Sequence, residues 1–253
     1  MAIPRPRYVG VSTKMYLGYR QSLTWLEGIR QEVLARPALA GRVHSFVAPS
    51  FPVLESAQRI FSGTDVTVGA QNCSTGVGAL TGEVSAGLLA ELGVGLVEIG
   101  HAERRSLFGE DDATVARKVT AAITAGMTPL LCIGEPERSS AEEAAEFCRA
   151  QVESALAGGA GTEAVILAYE PVWAIGAPAP APTDYVNDVV TRLRKQLTGE
   201  GEAGVRIIYG GSAGPGLLPR LEAVDGLFLG RFAHDPQNFG LVLDEALTAA
   251  GTQ

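Results

Sequence analysis

Short apolar runs alternate along the chain with longer stretches in which apolar residues recur at helical spacing, and the alternation repeats eight times. The runs cover residues 8–11, 43–48, 66–70, 95–99, 128–132, 165–169, 206–209 and 226–229. They are rich in β-branched and aromatic side chains, which predicts strands. Between the first two, residues 21–35 set Leu23, Leu26, Ile29, Val33 and Leu34 on one face and so predict an amphipathic helix. Residues 141–156 and 185–197 predict helices in the same way, the latter with Thr183 as its N-cap just after Pro182. Trp25 and Met15 read as core.

Eight strand–helix units in 253 residues predict an α/β protein. The expected architecture is a single (β/α)8 barrel over residues 1–253, eight parallel strands ringed by helices. The main rival, a doubly wound open sheet, usually carries a glycine-rich turn after its first strand, and here that turn reads Ser12-Thr13-Lys14-Met15. The alternating alanines and prolines of residues 177–182 fall between a strand and its helix, so they read as a loop hinge and not as a stiff linker.

Composition narrows the partners. Hydrophobic residues make up 46%, enough for a large core, and no apolar run approaches the roughly 20 residues of a membrane span. The first seven residues are polar and proline-bearing, without the apolar run of a secretory signal. Twenty Lys and Arg against 28 Asp and Glu give a net charge of −8, which repels nucleic acid and anionic membranes. Any anion site must then be local, built from backbone N–H groups and a few cations. Cys73, Cys132 and Cys148 are odd in number and have no metal-ligand spacing, so reduced thiols in a cytoplasmic protein are expected, with no metal.

The active site of such a barrel lies at the carboxyl ends of its strands. Lys14 follows the first, Gln71-Asn72 the third, His101 through Arg105 the fourth, and Cys132 and Glu135 the fifth. Glu170 follows the sixth, Gly210-Gly211-Ser212 the seventh and Gly230-Arg231 the eighth. Taken singly these are ordinary: a solvated loop acid, a structural histidine, a turn, a surface lysine. In barrel order they gather reactive side chains and glycines at one rim, and that is the pattern of a catalytic mouth.

Several segments extend this pattern: Ala70-Gln71-Asn72-Cys73, Leu80-Thr81-Gly82-Glu83, Ile99-Gly100-His101-Ala102-Glu103-Arg104-Arg105, Cys132-Ile133-Gly134-Glu135, Ala168-Tyr169-Glu170-Pro171-Val172-Trp173-Ala174-Ile175-Gly176 and Tyr209-Gly210-Gly211-Ser212. In this order, across nearly the whole chain, they resemble the triosephosphate isomerase family. The resemblance implies a phosphosugar isomerase working through an enediolate, without cofactor. It implies Glu170 as the base that carries a proton between adjacent carbons, His101 as a neutral imidazole polarising the carbonyl, and Lys14 as fixed positive charge held by Glu103. A base and a neutral histidine at a helix N-terminus in this enzyme are a standard illustration of pKa tuning. Phosphate would meet backbone N–H groups at Gly176, Ser212, Gly230 and Arg231, and residues 171–182 would form a lid that excludes water. Cys132 is expected as packing beside the site, Asn72 as a prop for neighbouring backbone, and Glu135 as a structural group pairing within the rim. The resemblance also implies a homodimer in which the loop of residues 73–83 enters the partner, Thr81 reaches its site and Arg104 pairs with Glu83 across the contact.

Four departures bear on the substrate. Ser12 and Thr13 stand where the family usually has asparagine and tryptophan, and Ala102 replaces a serine. The far end of the lid carries Pro178, Pro180 and Pro182 in place of a Gly-Lys pair, and Gly230-Arg231 replaces Gly-Gly. Ser12, Gly230-Arg231 and the proline-bearing lid end resemble the branch that isomerises erythrulose phosphates, in which the smaller Ser12 would free room for an extra hydroxymethyl group. Thr13 and Phe232 do not match that branch. Two alternatives stand beside it: ordinary triosephosphate isomerisation, and a catalytically silent phosphosugar-binding barrel, which the retention of Lys14, His101 and Glu170 argues against. For Arg231 two placements are open: folded onto the phosphate as a clamp, or turned outward to an acid such as Asp235.

Overall fold

The computed structural model describes residues 7–198 and 204–251. The strands β1 (Arg7–Ser12), β2 (Val43–Ala48), β3 (Thr67–Ala70), β4 (Leu96–Ile99), β5 (Thr128–Ile133), β6 (Ile166–Tyr169), β7 (Arg206–Tyr209) and β8 (Gly226–Leu229) follow the apolar runs to within a residue at each end. All pair in parallel with their sequence neighbours, and β8 pairs back onto β1, with Tyr8 opposite Gly226 and Val11 opposite Leu229. Parallel strands need a crossover between them. The helices are α1 (Tyr19–Leu34), α2 (Leu54–Ile60), α3 (Ala86–Glu91), α4 (Ala102–Phe108), α5 (Asp112–Thr124), α6 (Ala141–Ala155), α7 (Thr183–Thr198) and α8 (Pro236–Gly251); two of them, α4 and α5, join β4 to β5, whereas β7 and β8 are joined by a segment whose one helical turn is the 3-10 turn Leu218–Arg220.

Local chemistry starts the helices where they start. The Ser85 hydroxyl and the Asp111 carboxylate accept the Leu88 and Thr114 N–H groups, capping α3 and α5, and Ser140 with Glu143 forms a reciprocal capping box on α6. Thr183, expected as a cap, is instead the first helical residue of α7; the Val186 N–H bonds to the Pro182 carbonyl, so the turn closes one residue earlier. In α1 the buried positions Ser22, Trp25, Leu26 and Ile29 fall three or four apart, and the Trp25 indole donates to the Ala233 carbonyl at 2.7 Å, pinning α1 to the turn after β8.

Strand alternation divides the interior in two. Outward-facing residues such as Val9, Val47, Val97, Leu131, Leu167, Ile207 and Leu227 pack under the helices. Inward-facing Tyr8, Phe46, Leu96, Leu130, Ile166, Ile208 and Phe228 fill the barrel, with the Phe46 and Phe228 rings stacked at 5.8 Å. The same parity carries the chemistry. Beyond this plug, the next inward positions towards the carboxyl ends are Ser12, Glu98, Cys132 and Glu170. At the opposite end Arg194 on α7 donates to Asp225 at 2.9 Å and to the Val205 and Ala223 carbonyls. The Ile207 N–H also bonds to Asp225, so one acid ties α7, β7 and β8 together.

Candidate active site

Lys14 leaves β1 with φ of 49°, a left-handed conformation that a lysine adopts only under constraint. Long-range contacts impose it. The Gln71 amide donates to the Lys14 and Ala48 carbonyls, both at 2.9 Å, and the Ser50 hydroxyl donates to the Lys14 carbonyl at 3.0 Å. The turn aims the Lys14 side chain into the mouth, where it ion-pairs with Glu103. The same turn throws Met15 outward, 89% exposed, so the expectation of a core residue there was wrong.

His101 is the N-cap of α4, and its Nδ1 accepts the Glu103 N–H at 3.1 Å. An accepting Nδ1 assigns the remaining proton to Nε2, which faces the mouth. Burial first, and the Lys14 charge second, lower its pKa to about 4, so the ring is neutral near pH 7. Glu170 follows β6, its N–H bonded to the Ile133 carbonyl, and its Oε2 lies 3.5 Å from His101 Nε2. Gly210 makes room for it: a Cβ there would stand 2.3 Å from Glu170 Oε1. Burial, and next the nearby Glu98 charge, push Glu170 up to about 8, against the pull of Lys14. Cys132 is buried against Glu170 and its thiol is raised well above the ordinary range, first by burial and then by that carboxylate.

The loop of residues 171–182 is organised from both sides. On one side Glu135 accepts from the Tyr169 and Tyr185 hydroxyls and the Trp173 indole, and its carbonyl takes the Val172 N–H. Glu135 is thus structural as expected, but its partners are three neutral donors: Tyr169 at the end of β6, Trp173 at the start of the loop and Tyr185 on α7. On the other side the Ser212 hydroxyl donates to the Ala177 carbonyl at 2.6 Å, and the Ala181 N–H to the Tyr209 hydroxyl. Between these anchors Gly176 takes φ of 71°, which a side chain would strain.

Lys14, His101, Glu103, Glu170, Ser12, Gly176, Ser212, Gly230 and Arg231 all line one cavity of about 580 Å³ at the carboxyl ends of the strands. Among the described residues, the backbone N–H groups of Gly176, Ser212 and Arg231 have no acceptor within the chain, which leaves donors for an anion. The Arg231 guanidinium reaches over this cup, its Nη2 3.9 Å from where a Gly176 Cβ would be. The outward alternative is not the one adopted: Asp235 accepts the Gln237 N–H at the start of α8. One expectation needs correcting. Asn72 accepts from Lys118 Nζ at 2.8 Å and does not prop backbone. Within the chain Arg104 bonds to Glu110 at 2.5 Å and covers the Phe108 ring.

One lining residue escaped the sequence reading. Glu98, inside β4, is 4% exposed, and its Oε2 is buried without a hydrogen-bond partner, as are Ser12 Oγ and Glu170 Oε2. Burial raises its carboxyl to about 7, with the Ser12 hydroxyl and Lys14 pulling the other way. The signal was present as an acid two positions after Leu96 in an inward-facing register.

Fold and mouth together define an enzyme of the (β/α)8 class, with titratable side chains converging beside a cup of free N–H groups. A model of the triosephosphate isomerase family matches residues 7–246. The chain is 49% identical to an L-erythrulose-1-phosphate isomerase of Pectobacterium atrosepticum, over 95% of each chain. It is 38% identical to a probable triosephosphate isomerase 2 of Listeria monocytogenes, over 93% of this chain and 95% of that one. The crystal structure of triosephosphate isomerase from Bartonella henselae superposes with a TM-score of 0.81 at 30% identity, covering 96% of this chain and 99% of that one. The chain belongs to the triosephosphate isomerase family and is an isomerase of phosphosugars.

Proposed function

We propose that this chain interconverts erythrulose phosphates by moving a carbonyl between the two inner carbons of a four-carbon ketose phosphate. The observation that carries the reading is a raised, buried Glu170 carboxylate and a neutral His101 facing one cavity with Lys14. Glu170 takes the proton from the hydroxyl-bearing carbon and returns it to the former carbonyl carbon. His101 donates from Nε2 to the carbonyl oxygen and exchanges a proton with the neighbouring oxygen, while Lys14 stabilises the enediolate charge. The phosphate sits on the N–H groups of Gly176, Ser212, Gly230 and Arg231, with the Arg231 side chain closing over it. Glu103 positions Lys14, and Cys132 packs under Glu170. The lid of residues 171–182 excludes water from an enediolate that would otherwise expel phosphate.

Substrate choice rests on Ser12, which leaves the inner end of the cavity open, and on the printed activity of the relative at 49% identity. Ordinary triosephosphate isomerisation is the second reading, favoured by the Listeria and Bartonella likenesses. Assays of the purified protein on erythrulose phosphates and on glyceraldehyde 3-phosphate decide between them. Higher kcat/KM on the triose substrate would overturn the first reading, and activity on neither would leave a silent binding barrel.

We also propose a two-fold homodimer in the cytoplasm. The loop of residues 73–83 exposes Val77 (84%) and Leu80 (42%), and exposed Met15 adds to the apolar area that a partner would cover. All three cysteines are free and buried, as a reducing compartment allows. No helix among the described residues is long and apolar enough to cross a membrane. Sedimentation that shows an active monomer at micromolar concentration would remove the dimer.

A further inference from the structure

Buried carboxyl groups elsewhere in this chain are held by donors. Glu110 takes Lys118 and Arg104, Glu135 takes three side-chain donors, and Asp225 takes Arg194 and a backbone N–H. Glu98 differs. Its strand points it into the barrel beside Ser12, it lines the catalytic cavity, and it takes neither a cation nor a backbone N–H; its near polar neighbour is the Ser12 hydroxyl, and its Oε2 is buried. A buried acid with no cation or backbone donor costs stability and does no packing that a valine would not do as well. Groups of this kind persist where a ligand completes them.

We propose that Glu98 and Ser12 form the specificity pocket for the terminal hydroxymethyl group of a four-carbon substrate, the Glu98 carboxyl accepting the hydroxyl's hydrogen bond and Ser12 completing the contact. Three points place the group there. The phosphate cup at Gly176, Ser212 and Arg231 fixes one end of the substrate, and Glu170 and His101 fix the reacting carbons. A four-carbon chain then extends past those carbons, away from the phosphate and towards the floor of the cavity, where Ser12 and Glu98 lie. A triose phosphate lacks that group and leaves the pair unsatisfied. A site built to hydrogen-bond a hydroxyl rejects the analogue that lacks it far more strongly than an apolar pocket does. This inference rests on the proposed tetrulose phosphate activity.

The test uses two unreactive probes, erythritol phosphate and glycerol phosphate, titrated calorimetrically into the wild-type protein and into Glu98→Val, Glu98→Gln and Ser12→Ala. Wild type is expected to bind erythritol phosphate at least about fivefold more tightly than glycerol phosphate. Glu98→Val should erase that preference, with the glycerol phosphate Kd within about twofold of wild type and Tm raised, because a lone buried acid has gone. Glu98→Gln keeps an acceptor in place and should keep part of the preference; it also serves as the folded control. Equal loss on both probes, an unchanged preference, or a fall in Tm for Glu98→Val would overturn the assignment, the last because it marks a structural role. Turnover separates the two failures. Wild type active on erythrulose phosphates, with a preference insensitive to Glu98, sinks only this pocket. Wild type inert on them sinks the proposed activity as well.

Discussion

At the amino-terminal end of the barrel Asp225 is buried against Arg194 at 2.9 Å and takes the Ile207 N–H at 2.8 Å. At the carboxyl-terminal end Glu98 and Glu170 are similarly buried, but neither takes a cation or a backbone N–H as Asp225 does: Glu98 has the Ser12 hydroxyl beside it and Glu170 has His101 Nε2 at 3.5 Å. The same residue chemistry is thus tied down by a cation and a backbone donor at one end and left with weak partners at the other. Strand ends explain why. Asp225 precedes β8 and meets Arg194 of α7 there, whereas Glu98 and Glu170 sit where the strands open onto the cavity and face it. In barrels of this class the lower face serves stability and the upper face serves chemistry. Here the division can be read from hydrogen bonding alone, and it makes substitutions at the two ends separable.

The largest effect expected is at the upper end. Glu170→Gln removes the carboxylate proposed to take the carbon-bound proton while keeping its shape. It should fold with unchanged or higher Tm and lose at least about 10²–10⁴-fold in kcat/KM. Activity above about a tenth of wild type would show that another group is the base. The lower end should answer in the other currency. Asp225→Ala strands a buried guanidinium and should cost about 3–5 kcal/mol. Thermal unfolding would read this as a fall in Tm on the order of 10 °C, with kcat per folded molecule unchanged. If Asp225→Ala instead lowers kcat, the two ends are coupled and the comparison fails.

Much of this division was legible in the sequence, and its gaps have physical causes. Strand positions followed from β-branched runs, because each run is buried on both faces and needs no partner to be recognised. The residues at the mouth followed from asking what comes after each strand. That question misses a residue inside a strand, and Glu98 was missed for that reason. Met15 was misplaced because its exposure depends on the left-handed turn at Lys14, held by Gln71 and Ser50 from β3 and the end of β2, contacts that no local pattern announces. Ser212 was expected through its backbone alone, whereas its side chain also holds the lid at Ala177.

A smaller effect is expected at the proposed phosphate cup, where an added cation should tighten binding without touching the chemistry. The Arg231 guanidinium lies beside Gly176 and pairs with no acid among the described residues. A charge-assisted bond to phosphate contributes about 1.5–3 kcal/mol, partly offset by ordering the side chain. Arg231→Gly should therefore raise KM on the phosphorylated substrate roughly 10-fold and leave kcat nearly unchanged, since the phosphate is held equally before and during reaction. A KM within twofold of wild type would place the side chain outside the binding site.

The smallest effect is a displacement along the pH axis, and it probes the two cavity acids directly. Burial raises Glu170 to about 8, and the charge of Glu98 is the next contributor; Glu98 itself is raised to about 7. Glu170 must be ionised to act as a base, so kcat/KM should rise with pH on an acid limb set by this pair and not by His101, which stays neutral down to about 4. Glu98→Gln removes a negative neighbour, which favours the Glu170 carboxylate, so the limb should move to lower pH with little change in its plateau on the triose substrate. The sign of the stability change follows from the same shifts. A carboxyl whose folded pKa exceeds its unfolded value near 4.5 binds its proton more tightly when folded, so its contribution is complete below that value and is lost as pH rises towards 7 to 8. The Tm gain of Glu98→Gln over wild type should accordingly be larger at pH 8 than at pH 5. A limb that moves upward, or a gain that shrinks with pH, would mean that Glu98 is paired in solution and that the contrast between the two ends of the barrel does not hold.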